Sequence, residues 1–178
     1  MILTIRNIVS IIKAQWVGQN ETAIVDSISI DSRSLLNDEN TLFFALYGPN
    51  HDGHLFIEEL IAKGVSHFVV RKIPEGLELK AKFLIVEDTL DALQKFAAYY
   101  RSQFDFPIIG ITGSNGKTIV KEWLNFLLSP NHLIVRNPKS YNSQVGVALS
   151  ILGIEGNYDL GIFEAGISTT NEMSKLEQ

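Results

Sequence analysis

The amino-acid sequence predicts an α/β protein in two parts: a small N-terminal α/β domain over residues 1–104 and, over 105–178, the first part of a parallel-sheet domain. Three observations carry that expectation. Strand-like apolar runs alternate with helix-like periodic segments along the chain, the pattern of layered α/β folds. The run "IIGI" (108–111) delivers a glycine turn straight into the helical pattern "KTIVKEWLNFLL", and a continuous apolar run of this kind is expected of a strand buried on both faces. Between the two parts lies "RSQFDFP", a polar-aromatic joint that closes on Pro107. The boundary is therefore placed at Phe104–Pro107. The second part, with about 70 residues, falls at the bottom of the usual domain range and is expected to be cut short.

The elements follow in order. Thr4 can cap a first amphipathic helix whose Ile5, Ile8, Val9 and Ile12 share one face. Ile24, Ile28 and Ile30 lie on one side of a period-two pattern, read as a half-buried strand, and "TLFFAL" (41–46) reads as a more deeply buried one. "HLFIEELIAKG" is a helix pattern ended by Gly64, followed by short strands at "HFVV" and "FLIV". From Leu90 onward, Leu93, Ala97, Tyr100 and Phe104 mark one helix face. Beyond the glycine turn come the helix "KTIVKEWLNFLL", the strand "LIV", the helix "VGVALSIL" and the strand "DLGIF" ending at Glu164, an order that implies parallel crossovers. Glu172 reads as a surface charge.

Composition narrows the function. The 178 residues are 46% hydrophobic, enough for a core, and carry a net charge of −5 with no long basic run, which argues against nucleic-acid binding. There is no cysteine, so disulfides and cysteine-based zinc sites are excluded. The opening "MILTIRNIVSIIKAQWVG" is too short and interrupted for a membrane span and lacks the layout of a signal peptide. A soluble cytoplasmic protein without membrane insertion is expected.

The chemistry concentrates in "GITGSNGKT". A buried strand feeding a glycine turn into a helix N-terminus offers backbone N–H groups and the positive end of the helix dipole to phosphate oxygens. Thr112, Gly113, Ser114, Asn115 and Gly116 form the cup, Lys117 brings a charge able to reach the outer phosphates, and the Thr118 hydroxyl can ligate Mg²⁺. The competing reading is a plain turn that happens to precede Lys and Thr. Yet the strict spacing G-x-x-x-x-G-K-[ST] needs glycine at position 111, which is Ile. The glycines fall instead at 110, 113 and 116.

That displaced register resembles the ATP loop of the Mur ligase family, T-G-x-N-G-K-T after a strand. "DSRSLLNDENTLFFALYGPNHDGHLFI" (31–57), with its D-S-R, its F-F-A-L strand and its D-G-H turn, is similar to the family's N-terminal uridine-binding domain, which the related folylpolyglutamate ligases lack. The resemblance runs from Ile24 to Met173. It implies a uridine-binding α/β domain followed by the first part of a P-loop-type ATPase domain, with ATP and Mg²⁺ as cofactors. It also implies that Ser32, Arg33, Asp52, Gly53, His54 and Asn142 hold a UDP-muramoyl peptide, while Lys117 and Glu164 are catalytic and Thr118 and Glu164 hold the metal. The residue types suit these roles: a hydroxyl and a guanidinium for uracil edges and a diphosphate, and a carboxylate at a strand's C-terminal end for a hard cation. Taken singly, D-S-R could be a strand-end turn with a surface ion pair, D-G a routine turn, and Glu164 an exposed strand-end charge.

"NPKSYNSQVGVALSIL" (137–152) is similar to the N-x-x-x-G-V-P-L segment of the branch that adds D-alanyl-D-alanine to UDP-N-acetylmuramoyl-tripeptide, with Ala148 where that pattern favours proline. The Thr-Thr-Pro signature of the branch that adds the third peptide residue is absent. The resemblance implies carboxylate activation through an acyl phosphate, with a carbamylated Lys, a His for a second metal and an amine-binding domain all beyond Gln178. Fusion to an alanine racemase is a further expectation, and the fragment alone is expected to be inactive. Two alternatives stay open: the third-residue ligase, and a non-catalytic uridine-nucleotide binding module.

Overall fold

The computed structural model describes residues 2–33, 35, 39–48, 51–138 and 141–167. Glu172 lies outside them, as do parts of the 31–57 segment. The chain divides into two units, Met1–Phe96 and Ala97–Gln178.

In the first unit, β1 (Leu3–Thr4) leads into α1 (Ile5–Ile12), followed by β2 (Gln15–Val17), β3 (Ile24–Val25), β4 (Ser27–Ser29) and β5 (Thr41–Phe44). An antiparallel pair, β6 (Tyr47–Gly48) and β7 (His51–Asp52), runs into a 3₁₀ turn at Gly53–Phe56 and then α2 (Ile57–Ala62), β8 (His67–Val70) and β9 (Lys82–Ile85). Thr4 caps α1 as expected: its hydroxyl accepts the N–H of Asn7, whose side chain accepts that of Thr4, so two orphan donors of the first turn are satisfied reciprocally. Ile5, Ile8 and Ile12 are buried.

The main sheet has the order β2-β9-β8-β5-β4, parallel except for β2. β5 and β8 are buried along their whole length, as parallel strands covered on both faces should be. Across neighbouring strands Phe43 meets Phe68 edge to face and Phe68 stacks on Phe83, with centroids 6.1 and 5.8 Å apart, and all three pack with Ile57 and Leu60 of α2. The single half-buried strand expected through Ile24, Ile28 and Ile30 is in fact two strands in different sheets. Val25, not Ile24, is the buried residue, because β3 pairs antiparallel with β1 and sets Val25 opposite Leu3. The chain then breaks at Asp26 and joins the main sheet as β4.

Helix α3 (Thr89–Arg101) carries the chain from one unit into the other. In the second unit, Arg101 donates to the carbonyls of Phe104 and Phe106, and Tyr100 donates to that of Ile154 at 2.8 Å, which fixes the polar-aromatic joint. There follow β10 (Ile108–Ile111), α4 (Lys117–Leu128), β11 (Ile134–Arg136), α5 (Gln144–Leu152) and β12 (Leu160–Glu164). All three strands are parallel, in the order β10-β12-β11. The central strand is therefore β12, and it is buried from Gly161 to Glu164. β10 lies at an edge of the described sheet, so Ile109 and Gly110 are exposed, contrary to the expectation of burial on both faces. Among the described residues no helix is long and apolar enough to cross a membrane.

Candidate functional site

The glycine loop leaves the C-terminal end of β10 and enters α4 at Gly116, which has φ 78°; Gly113 has φ 140°. Both values lie where a Cβ is disfavoured, so the loop's shape depends on glycine at these two positions. No side chain caps α4, so its first N–H groups point out of the protein beside the exposed Thr112, Ser114, Asn115 and Thr118. Lys117 folds back over the loop and donates to the Gly113 carbonyl at 2.7 Å. This is an anion cup with a lysine at its rim.

Glu164 ends β12, and the register sets it directly opposite Ile111, the last strand residue before the loop. It is not an exposed strand-end charge: it is 1% exposed. One carboxylate oxygen, Oε1, accepts the side-chain N–H of Asn142 at 3.0 Å. The other, Oε2, is buried without a hydrogen bond and lies 3.5 Å from the ammonium of Lys121, which is itself fully buried. Lys121 donates to the Asn137 carbonyl at 2.9 Å, and the Asn137 side chain bonds both the N–H and the carbonyl of Glu164. Asn142 is held close because Gly146 of α5 lets the backbone of Tyr141 pass; a Cβ there would stand 2.7 Å from it.

Lys121 and Asn137 carry no sequence signal, for Lys121 sits in an otherwise amphipathic helix. Among the described residues no three His, Asp or Glu side chains converge. A divalent cation here would rest on one carboxylate, one hydroxyl and oxygens from elsewhere, the usual situation for Mg²⁺ beside a phosphate. The oxygen chemistry of Glu164 and Thr118, with Oε2 left unsatisfied, fits such an ion.

The sequence grouped Asn142 with residues of the first unit; it lies in the second, where its side-chain N–H donates to Glu164 Oε1. The others lie in the first unit. Asp31, Ser32 and Arg33 follow β4, and Gly53 returns to the C-terminal end of its parallel neighbour β5, where its N–H donates to the Leu46 carbonyl at 2.8 Å. Asp31 takes the Arg33 guanidinium in two hydrogen bonds of 2.9 and 2.7 Å, which hold its carboxyl well below the usual range; the Arg33 side chain is largely exposed. The Ser32 carbonyl accepts from Lys63.

His54 has both ring nitrogens engaged. Nδ1 meets Asp52 at 2.7 Å and Nε2 accepts the N–H of Arg71 at 3.0 Å, so the proton sits on Nδ1. Burial pushes the Asp52 carboxyl up, but the two N–H groups of His54 outweigh it and Asp52 titrates low. Gly53 lies against the backbone of Ala45 and Leu46, where a Cβ would approach to 2.8 Å. The D-G-H triplet thus locks a turn.

Comparison with known proteins bears on both units. Residues 24–101 match the profile described as "Mur ligase family, catalytic domain" and residues 111–178 match "Mur ligase middle domain". The chain belongs to the Mur ligase family. The glycine loop and Glu164 lie in the second match. A UDP-N-acetylmuramoyl-tripeptide–D-alanyl-D-alanine ligase of Bacillus subtilis is 30% identical over 98% of the chain, and one of Treponema pallidum is 37% identical over 86%. The crystal structure of MurF from Acinetobacter baumannii superposes with a TM-score of 0.89 at 26% identity over 99% of the chain. The MurF ligase of Thermotoga maritima, solved with ADP, gives 0.75 at 26% over 85%. The chain spans 38% and 35% of the two ligases' lengths, and 38% and 34% of the two crystallised chains.

Proposed function

We propose that the chain is the N-terminal part of an ATP-dependent ligase of peptidoglycan precursor synthesis that adds D-alanyl-D-alanine to UDP-N-acetylmuramoyl-tripeptide in the cytoplasm. The observation that carries this reading is the register of Ile111 with Glu164, which sets a buried carboxylate beside an uncapped glycine loop and its lysine. The names of the relatives supply the substrates, and the ADP of the Thermotoga maritima ligase supports ATP as the nucleotide.

In this reading residues 105–178 hold ATP. The amides of Thr112–Gly116 and the start of α4 bind its phosphates, and Lys117 turns from Gly113 to the transferring phosphoryl group, where preorganised positive charge lowers the barrier. Thr118 and Glu164 would hold Mg²⁺, which when bound neutralises phosphate charge. Residues 1–104 hold the uridine substrate, with Ser32 and the exposed guanidinium of Arg33 as its contacts and Asp52–His54 as the turn that frames them. The peptide carboxylate attacks the γ-phosphate of ATP, breaking its bond to the β-phosphate and releasing ADP, to give an acyl phosphate; the amine of D-alanyl-D-alanine then displaces inorganic phosphate and loses a proton to form the amide.

The test is phosphate release by the full-length protein with UDP-N-acetylmuramoyl-tripeptide and ATP, comparing D-alanyl-D-alanine with a diamino acid on the dipeptide substrate. Turnover with the diamino acid alone would transfer the chain to the third-residue branch. Turnover with neither would leave a nucleotide-binding module.

A further inference from the structure

α4 faces β12 with a lysine where an apolar side chain would be the ordinary choice. Its large apolar residues Ile119, Trp123, Phe126 and Leu127 are exposed, while Lys121 is 0% exposed. A buried ammonium is tolerated only when paired, and removing one partner of such a pair leaves an uncompensated charge. Lys121 has two partners, the Asn137 carbonyl at 2.9 Å and Glu164 Oε2 at 3.5 Å. The second distance is a charge contact rather than a hydrogen bond, and among the described residues Oε2 has no hydrogen-bond partner. The oxygen left without a hydrogen bond is therefore the one the ammonium already faces.

We propose that Lys121 is a positioning residue that turns Glu164 towards the loop and, through its fixed charge, makes divalent-cation binding depend on the nucleotide. This rests on the metal role of Glu164. A divalent cation arriving alone would place two positive charges beside an existing one against a single carboxylate. Arriving with the phosphates of a nucleotide, it brings its own negative charge. Lys121 thus penalises the bare cation and tolerates the complex, so that cation and nucleotide enter together.

The experiment uses thermal melting of the 178-residue chain with Mn²⁺ or Mg²⁺ and no nucleotide. Wild type is expected to show no specific shift. Lys121→Met removes the competing charge and leaves Oε2 exposed to a cation, so the variant should melt lower without metal and recover with it, binding Mn²⁺ at least about tenfold more tightly than wild type, or ~1.4 kcal/mol. Lys121→Arg keeps the charge and should behave as wild type. Should Lys121→Met not fold, direct Mn²⁺ binding to wild type and Lys121→Arg decides, because binding by either that saturates without nucleotide overturns the proposal. A folded Lys121→Met that is destabilised but indifferent to metal also overturns it, making Lys121 purely structural. If Lys121→Met with Glu164→Gln still responds to metal, it is the metal role of Glu164 that fails.

Discussion

Lys117 and Glu164 illustrate two kinds of evidence at the residue scale. Lys117 is recognisable because its partners are contiguous: the glycine turn, the lysine and the helix start form one short stretch, and its ammonium lies 2.7 Å from the loop it serves. On the proposed function, Lys117→Ala in the full-length protein should abolish ligation, since the phosphoryl group would lose its main side-chain charge, while the fold persists. Retention of more than about a tenth of kcat, ~1.4 kcal/mol of barrier, sinks that role. Glu164→Gln keeps the volume and the Asn142 contact but removes the charge, so the Mg²⁺ concentration for half-maximal activity should rise; an unchanged titration would return Glu164 to a structural part. What surrounds Glu164 was not legible. Lys121 comes from α4 and Asn137 and Asn142 from the connection between β11 and α5, and only the parallel sheet brings them to one carboxylate. No periodicity encodes such a meeting. His54 shows the converse: its motif is conspicuous in sequence, yet the geometry commits both ring nitrogens inside the protein.

At the scale of elements, strands with one regular environment were readable and those whose environment changes were not. β5 and β8, buried throughout, lie where the sequence placed them. Ile24 misled because its short strand answers to β1, not to the main sheet, and β10 misled because an apolar run does not reveal an edge.

Two predictions belong here. Gly146→Ala drives a Cβ to 2.7 Å from the Tyr141 backbone, so α5 or the 141–142 segment must shift. Overpacking of this kind costs about 1–3 kcal/mol. Denaturant unfolding should show it, and an unchanged midpoint would mean that the segment yields freely. The second concerns His67 at the start of β8, which is 3% exposed. Burial, with the charge of Lys82 added, lowers its pKa below the ordinary value. The folded state therefore holds the ring neutral, while the unfolded chain takes up a proton near pH ~6.5. Stability is full above that pH and declines as pH falls towards the folded value, by at most ~1.4 kcal/mol per pH unit for one proton. Melting curves between about pH 6.5 and 5 should show the decline, and His67→Gln should flatten it; an equal slope in the variant would assign the effect elsewhere.

For the whole molecule, the two units make separable claims, and ligand-induced stabilisation tells them apart. The first unit has a five-stranded sheet with phenylalanines packed across it; its D-S-R segment follows β4, and Gly53 of D-G-H is bonded back to the end of the neighbouring β5. The second has a three-stranded sheet whose helix α4 exposes Trp123 by 68% and Phe126 by 77%, so its nucleotide cup stands on a less covered support. A ligand that binds only the folded state stabilises by RT ln(1 + [L]/Kd), about 2.7 kcal/mol at a hundredfold excess. UDP-N-acetylmuramoyl-tripeptide should therefore raise the melting temperature of the 178-residue chain, and Ser32→Ala with Arg33→Ala should abolish the rise without lowering the unliganded melting point, because Arg33 is exposed and bonded only to its neighbour Asp31 among the contacts described. ATP with Mg²⁺ should raise it less, and no phosphate should appear when D-alanyl-D-alanine is added. A clear rise with ATP and none with the uridine compound at matched concentration would overturn the assignment of residues 1–104 to the uridine substrate, while leaving the loop and Glu164 where the second unit puts them.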